Sequence, residues 1–174
     1  MALDVEPVSI EGTWLRQSRT GSLALPDRDL PPDNRWQRGS VVDALYLADG
    51  QATAWAEWYR HLAELGIPPD QWLPTYLWSW RVEIEVADLT TEDRLARVGL
   101  LSPVPGRKGW RPFQEVGEAL GTEGWAGLVA PSAARQSGLV LCLFRTGSVI
   151  PGAAPERPPQ KITRAPAPPT GMRT

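Results

Sequence analysis

The sequence predicts an α+β domain, with a central mixed or antiparallel sheet and helices flanking it. Three observations carry that expectation. The chain has 174 residues, 42% of them apolar and 22% charged, which is the size and make-up of a single domain with a real core. Segments that alternate with period two and segments with helical period both occur, so strands and helices are both present. Their order is mixed rather than strictly alternating, which disfavours a doubly wound parallel sheet. There is no internal repeat.

Taken in order, residues 1–11 read as a loose lead-in. "GTWLRQS" (12–18) is apolar-rich and makes a first strand bearing Arg16. Residues 20–40 are rich in Pro, Asp and Gly and read as a long loop; a loop that long in a compact domain is often functional. "DALYLAD" (43–49) is a buried strand. In "ATAWAEWYRHLAEL" (52–65), Ala54, Trp58, Leu62 and Leu65 form an apolar stripe at helical spacing. Gly66 and then Pro68 supply the stop.

"LWSWRVEIEVADL" (77–89) alternates, placing Trp78, Trp80, Val82, Ile84 and Val86 on one face of a strand. "TTEDRLARVG" (90–99) opens with a threonine three residues before an acid, a capping-box-like start to a short helix. "RPFQEVGEALGTEG" (111–124) is another helix that ends at glycine. "AGLVAPSAA" (126–134) and "GLVLCLFR" (138–145) are two closing strands joined by a polar turn. From Pro151 on, the chain is Pro- and Ala-rich with almost no large apolar groups. Such a segment cannot offset its ordering entropy by burial, so residues 149–174 are expected to be a disordered, dispensable tail outside a domain of residues 12–148.

Composition excludes several functions. A formal net charge of −2 argues against a nonspecific nucleic-acid binder, which needs a basic excess to displace counterions. The one cysteine, Cys142, allows no intrachain disulfide and no cysteine-based zinc site, and reads as a small buried hydrophobe. The N-terminus lacks a basic-then-apolar signal pattern, and no apolar run approaches the roughly 20 residues that span a bilayer. A cytoplasmic protein without membrane contact is expected. Neither a Gly-rich phosphate loop nor a dinucleotide fingerprint is present, and with one histidine, His61, no pair stands at metal spacing. His61 lies one turn after Glu57 and reads most simply as its partner, or that of Glu64, at the helix surface.

What remains is a scattered polar set. Arg35, Tyr46 and Glu57 recur at equal intervals across a loop, a strand and a helix, with Arg16 before them and Ser132 at a strand end in "APSAA". Each has an ordinary alternative: surface ion pairs for Arg16 and Arg35, a core tyrosine for Tyr46, a solvated glutamate for Glu57, a turn cap for Ser132. Glu57 stands out because Trp55 and Trp58 flank it. Tryptophan is itself abundant, at nine residues. Most of those rings belong in the core, though a stacking site would also use some.

Together, "TWLRQS", "NRWQRGSVVDALYLADGQATAWAEWYR" and "GLVAPSAARQSGLVLCLF", in that order, resemble the RES family, named for an arginine, a glutamate and a serine and found as the toxin of bacterial toxin–antitoxin pairs. The likeness covers roughly residues 12–145. It implies that Arg16, Glu57 and Ser132 are the name-giving residues and that Arg35 and Tyr46 complete the site. Asn34 and Gln37 stand where the family commonly has glycine and asparagine, and Leu15 separates Trp14 from Arg16.

The resemblance further implies a fold like that of ADP-ribosylating toxins and degradation of NAD, with water or phosphate as acceptor. The residue types suit that ligand. Arginine binds phosphate through a planar fork. Cleaving the nicotinamide–ribose bond develops an oxocarbenium-like ribose, which a carboxylate stabilises increasingly as charge grows. Glu57, Arg35 and Tyr46 are the expected catalytic set. Arg16, Arg35, Trp36, Tyr46 and Ser132 are the expected NAD-binding set, with Trp36 and Tyr46 lining the nicotinamide or ribose pocket and Ser132 bonding the amide or fixing an arginine. NAD is substrate rather than cofactor, no metal is expected, and the expected partner is an Xre-like antitoxin. A homodimer is compatible with the sequence. Two other readings stay open: a protein ADP-ribosyltransferase, and a non-catalytic interaction protein of the same fold.

Overall fold

A computed structural model describes residues 2–25 and 29–173; residues 26–28 of the long loop lie outside the described residues. Strand β1 (Glu6–Ser18) is followed by β2 (Asp43–Ala48), helix α1 (Gln51–Leu65), a 3-10 turn (Pro69–Trp72), β3 (Thr75–Asp88), α2 (Glu92–Arg97), α3 (Trp110–Glu123), β4 (Gly127–Pro131), β5 (Leu139–Arg145) and β6 (Ala153–Ile162). The α+β expectation holds, and the helical and alternating segments stand where their periods place them. The first strand is longer than expected, because residues 6–11 continue its ladder against β3, from Glu6 opposite Asp88 to Ser18 opposite Tyr76.

The strands form one mixed sheet in the order β1-β2-β5-β4-β3-β6, and β1 also pairs β3, so five of them close into a ring. Among the described residues only β3–β4 is parallel. Strand β3 makes the closure possible. Along one edge it pairs β1 throughout; along the other it pairs β6 over Thr75–Val82 and β4 at Ala87 and Asp88. By contrast, β1 meets β2 at one pair, Leu15 opposite Ala48.

Alternation along each strand sorts the core into layers. Leu45 and Leu47 of β2, Trp78, Trp80 and Val82 of β3, and Leu141 and Leu143 of β5 pack together inside the ring. The opposite-facing Ala44, Leu128, Ala130 and Cys142 pack with Trp36 and the α2 and α3 residues Leu95, Phe113, Val116 and Leu120. A third layer joins Ala54, Trp55, Trp58 and Leu62 of α1 to Ala48 and Leu77. The tryptophan surplus is thus largely core. Each fully buried ring contributes about 4–6 kcal/mol of gross transfer free energy. Leu65, expected on the α1 stripe, is instead 43% exposed, one residue before the left-handed Gly66 that ends the helix.

The short α2 is capped one residue later than expected. The Thr91 hydroxyl accepts from the Arg94 N–H, while Thr90 donates to Asp88. Helix α3 comes close to the long loop at Gly117, where an added Cβ would stand 2.0 Å from the Trp36 carbonyl oxygen. Among the described residues no helix is long and apolar enough to cross a membrane.

The expectation of a disordered tail is overturned. Residues 153–162 form β6, and its prolines are tolerated because it is an edge strand with β3 as its one neighbour. Composition misled here because the burial comes from outside the segment. Ala153 joins the inner core, Ile162 packs against the α1 layer, and the Arg157 guanidinium lies 5.3 Å over the Trp78 ring. Deleting residues 151–174 should therefore cost at least about 3 kcal/mol of stability. Urea denaturation followed by tryptophan fluorescence would measure it, and an unchanged midpoint would contradict the role given to β6.

Candidate functional site

A cleft of about 320 Å³ opens where β1 and β2 diverge, over the middle of α1. Its walls carry Arg16 from β1, Arg35 from the long loop, Tyr46 from β2, and Glu57, Arg60 and His61 from α1. With Trp36, also in the wall, five of the six residues expected from sequence converge. Helical geometry explains the α1 set, since Ala54, Glu57, Trp58 and His61 fall on one face at intervals of three and four.

Glu57 is held from two sides. Its Oε1 accepts from the Ser132 hydroxyl at 2.7 Å, and its Oε2 accepts from Arg60 Nε at 2.9 Å. Arg60 also donates to Glu64, so its charge is shared between two carboxylates and neutralises Glu57 only in part. Those carboxylates keep the largely buried Arg60 guanidinium above its ordinary range despite desolvation. The Glu57 side chain lines the cleft and remains 25% exposed, and each of its oxygens has a second acceptor site beside the bond named.

Ser132 takes the ordinary alternative that the sequence offered, a turn cap, and also reaches Glu57. It is fully buried, and its hydroxyl oxygen accepts from the Ala134 and Arg135 N–H groups, both at 3.1 Å. With both acceptor sites filled, its proton is directed at Glu57. The structure therefore places Ser132 behind the carboxylate, outside the residues that line the cleft.

Arg35 is 9% exposed, donates from Nη2 to the Val104 carbonyl at 2.6 Å, and stands 5.2 Å over the Phe113 ring. Burial first, then the nearby Arg60 charge, pull it down to about 10, which still leaves it charged at neutral pH. The turn carrying it is closed by reciprocal backbone bonds between Asn34 and Gln37, and Gln114 Nε2 donates to both of their carbonyls. The two positions that depart from the family pattern thus build the turn that presents Arg35. Trp36 on that turn reaches the cleft wall, but its ring is 1% exposed and packs edge-on against Phe113 at 5.1 Å.

Tyr46 accepts from the Trp36 N–H at 3.2 Å. Burial, with the Cys142 thiol behind it, pushes its phenol well above the ordinary range; Cys142 itself is pushed up to about 12 by burial. Tyr46 is therefore a fixed neutral hydroxyl rather than a proton donor or acceptor near neutral pH. His61, expected beside Glu57 or Glu64, stacks edge-on with Trp72 at 6.5 Å instead. Burial, then Arg60, lowers its imidazole below the ordinary range, so it is neutral at pH 7. Arg60 was the residue sequence reasoning missed. Its signal was present, since it stands three residues after Glu57 and four before Glu64. Among the described residues, no group of His, Cys, Asp and Glu is placed to hold a metal ion.

The chain belongs to the RES domain family, whose model matches residues 12–164 and so runs through β6. It is similar in structure to a chain of the M. tuberculosis MbcT–MbcA toxin–antitoxin complex, with a TM-score of 0.73 and 23% identity over 90% of this chain and 87% of that one. At that identity the likeness speaks for the fold. No curated protein matches the chain in sequence.

Ser132→Ala should cost about 1–3 kcal/mol, because the buried Ala134 N–H and the part-buried Arg135 N–H lose their acceptor and Glu57 loses a donor. Chemical denaturation would measure this. A neutral substitution would show that Ser132 does not organise the turn.

Proposed function

We propose that this RES-domain protein is the toxin of a toxin–antitoxin pair and that it consumes NAD, cleaving the bond between nicotinamide and ribose with water or phosphate as acceptor. The observation that carries the proposal is the placement of Glu57. A carboxylate with free lone pairs sits in a cleft whose other charged groups are arginines, oriented by a buried serine and a shared guanidinium. Membership of the RES family supports the same reading. The kinship in fold with ADP-ribosylating toxins is part of the proposal.

In this mechanism Arg16 and Arg35 hold the pyrophosphate, the latter by a fork already rigidified at Val104. Tyr46 and the Trp36 turn shape the ribose end. Glu57 binds the ribose hydroxyls through the lone pairs that Ser132 and Arg60 leave open. As the C–N bond stretches, positive charge grows on the ribose, and the carboxylate stabilises it more than it stabilises bound NAD. Nicotinamide departs neutral, so no strong acid is needed, in keeping with a neutral His61 and a high-pKa Tyr46. Toxicity would follow from loss of cellular NAD, and an Xre-like antitoxin would restrain it.

Incubation of the purified protein with NAD, with and without phosphate, tests the reaction. Free nicotinamide with ADP-ribose or its 1-phosphate is expected, and activity should survive a chelator. Label transferred to protein instead would make the chain an ADP-ribosyltransferase, and no nicotinamide release at all would leave a binding protein. Glu57→Gln keeps the shape of the side chain and removes its charge. It should lower the cleavage rate about a hundredfold, roughly 3 kcal/mol in the barrier, with little change in NAD affinity. Wild-type turnover in a folded Glu57→Gln protein would remove Glu57 from the mechanism.

Arg35→Lys should weaken NAD binding about tenfold or more, because an ammonium cannot reproduce the bidentate fork. Calorimetric titration would read it, and unchanged affinity would reduce Arg35 to a structural residue.

A further inference from the structure

Beyond β6 the chain turns back across the molecule toward the elements that hold Glu57. Ala165 packs against the α1 layer, and the Tyr59 hydroxyl donates to the Pro166 carbonyl. The chain then reaches the turn that follows β4. Arg135 Nε donates to the Thr170 carbonyl at 3.2 Å, the Gln136 N–H to the Gly171 carbonyl at 2.8 Å, and the Arg173 N–H to the Ala134 carbonyl at 2.7 Å. Arg173 Nη2 donates to the Ser132 carbonyl at 2.5 Å. The Nε of the same guanidinium is buried without a hydrogen-bond partner, so its bond to Ser132 is what offsets part of its desolvation.

We propose that residues 165–173 are a clamp that positions Glu57, with Arg173 as its principal positioning residue; this rests on the assignment of Glu57 as the catalytic carboxylate. Every polar group of Ser132 is committed. Its N–H donates to the Gly138 carbonyl at 2.8 Å, its hydroxyl serves Glu57 and two N–H groups, and its carbonyl is held by Arg173. The Arg173 bonds hold the Ser132 and Ala134 carbonyls from outside the β4–β5 connection. Without them the buried carbonyls of Ser132 and Ala134 lose their partners, and the turn gains freedom to rotate the hydroxyl away from Glu57. Tyr59 fastens the other end of the same segment to α1, two residues from Glu57, so the clamp bridges the two elements whose separation sets the Ser132–Glu57 distance. Positioning of this kind acts on the rate, because small displacements of a catalytic group cost far more in the transition state than in ground-state binding.

The full-length protein is compared with Arg173→Met, Arg173→Lys and a chain lacking residues 165–174, which keeps β6 intact. Two quantities are read: kcat and KM for NAD, and amide hydrogen exchange at Ala134 and Arg135. Arg173→Met and the truncation should lower kcat about tenfold and move KM less than about twofold. Exchange at the two amides should accelerate, with β2 and β5 as protected as before. Arg173→Lys, which can still donate to the Ser132 carbonyl, should recover part of both. An unchanged kcat, or unchanged exchange at Ala134 and Arg135, overturns the clamp. So does a general loss of protection that includes β2 and β5, since that would make the segment a plain stabiliser. Failure of the full-length protein to cleave NAD would instead count against the functional assignment, and the exchange measurement would then decide the clamp alone.

Discussion

The ladder between β1 and β3, from Glu6 opposite Asp88 to Ser18 opposite Tyr76, converts an open sheet into a ring, and the placement of the other elements follows from it. It consumes one whole edge of β3 and leaves the other to be divided between β6 and β4. It also pulls β1 away from β2 except at Leu15 and Ala48. The cleft forms at that divergence. A sheet closed by side-by-side pairing throughout would have left no gap for Arg16 and Tyr46 to face across.

Within the cleft, electrostatics and packing oppose each other, and the arrangement limits the conflict. Arginines near a cleft repel one another when the cleft is empty. Arg35 registers this through Arg60, which lowers it in addition to burial. The compensation is local: Arg60 is bracketed by Glu57 and Glu64, and Arg35 leans on the Phe113 ring and the Val104 carbonyl. A buried guanidinium satisfied by a carbonyl and a ring keeps its charge available to an anion in the way that one locked in a carboxylate pair does not.

The same economy holds around Glu57. A serine hydroxyl that is already an acceptor of two backbone N–H bonds can point its proton in one direction only, and that direction is the carboxylate. The glutamate is thereby oriented from the buried side while its exposed side stays open. Ser132 is a member of the site through Glu57, which accounts for its burial and for its absence from the cleft wall.

The helices and alternating strands were legible in local patterns, and the likeness to the RES family pointed to most of the residues that meet in the cleft. The α1 stripe, the alternation of β3 and the glycine stops are short-range patterns, and a short-range pattern survives whatever the rest of the chain does, whereas Arg35, Tyr46 and Glu57 were singled out by the resemblance and not by their spacing. Even the Glu57–Arg60–Glu64 pairing was legible as helical spacing. Pairing over long separations was legible only in the folded ring. A Pro-rich segment became β6 because β3 had an unoccupied edge to offer and because the core layers and the Trp78 ring were there for its Ala153, Ile162 and Arg157 to meet. Ser132 became a support for Glu57, and Arg173 a support for Ser132, through hydrogen bonds between residues far apart in sequence. Composition measures what a segment can bury by itself, whereas its order depends on the edge, carbonyl or ring that another segment presents to it, and that is fixed only once the ring has closed.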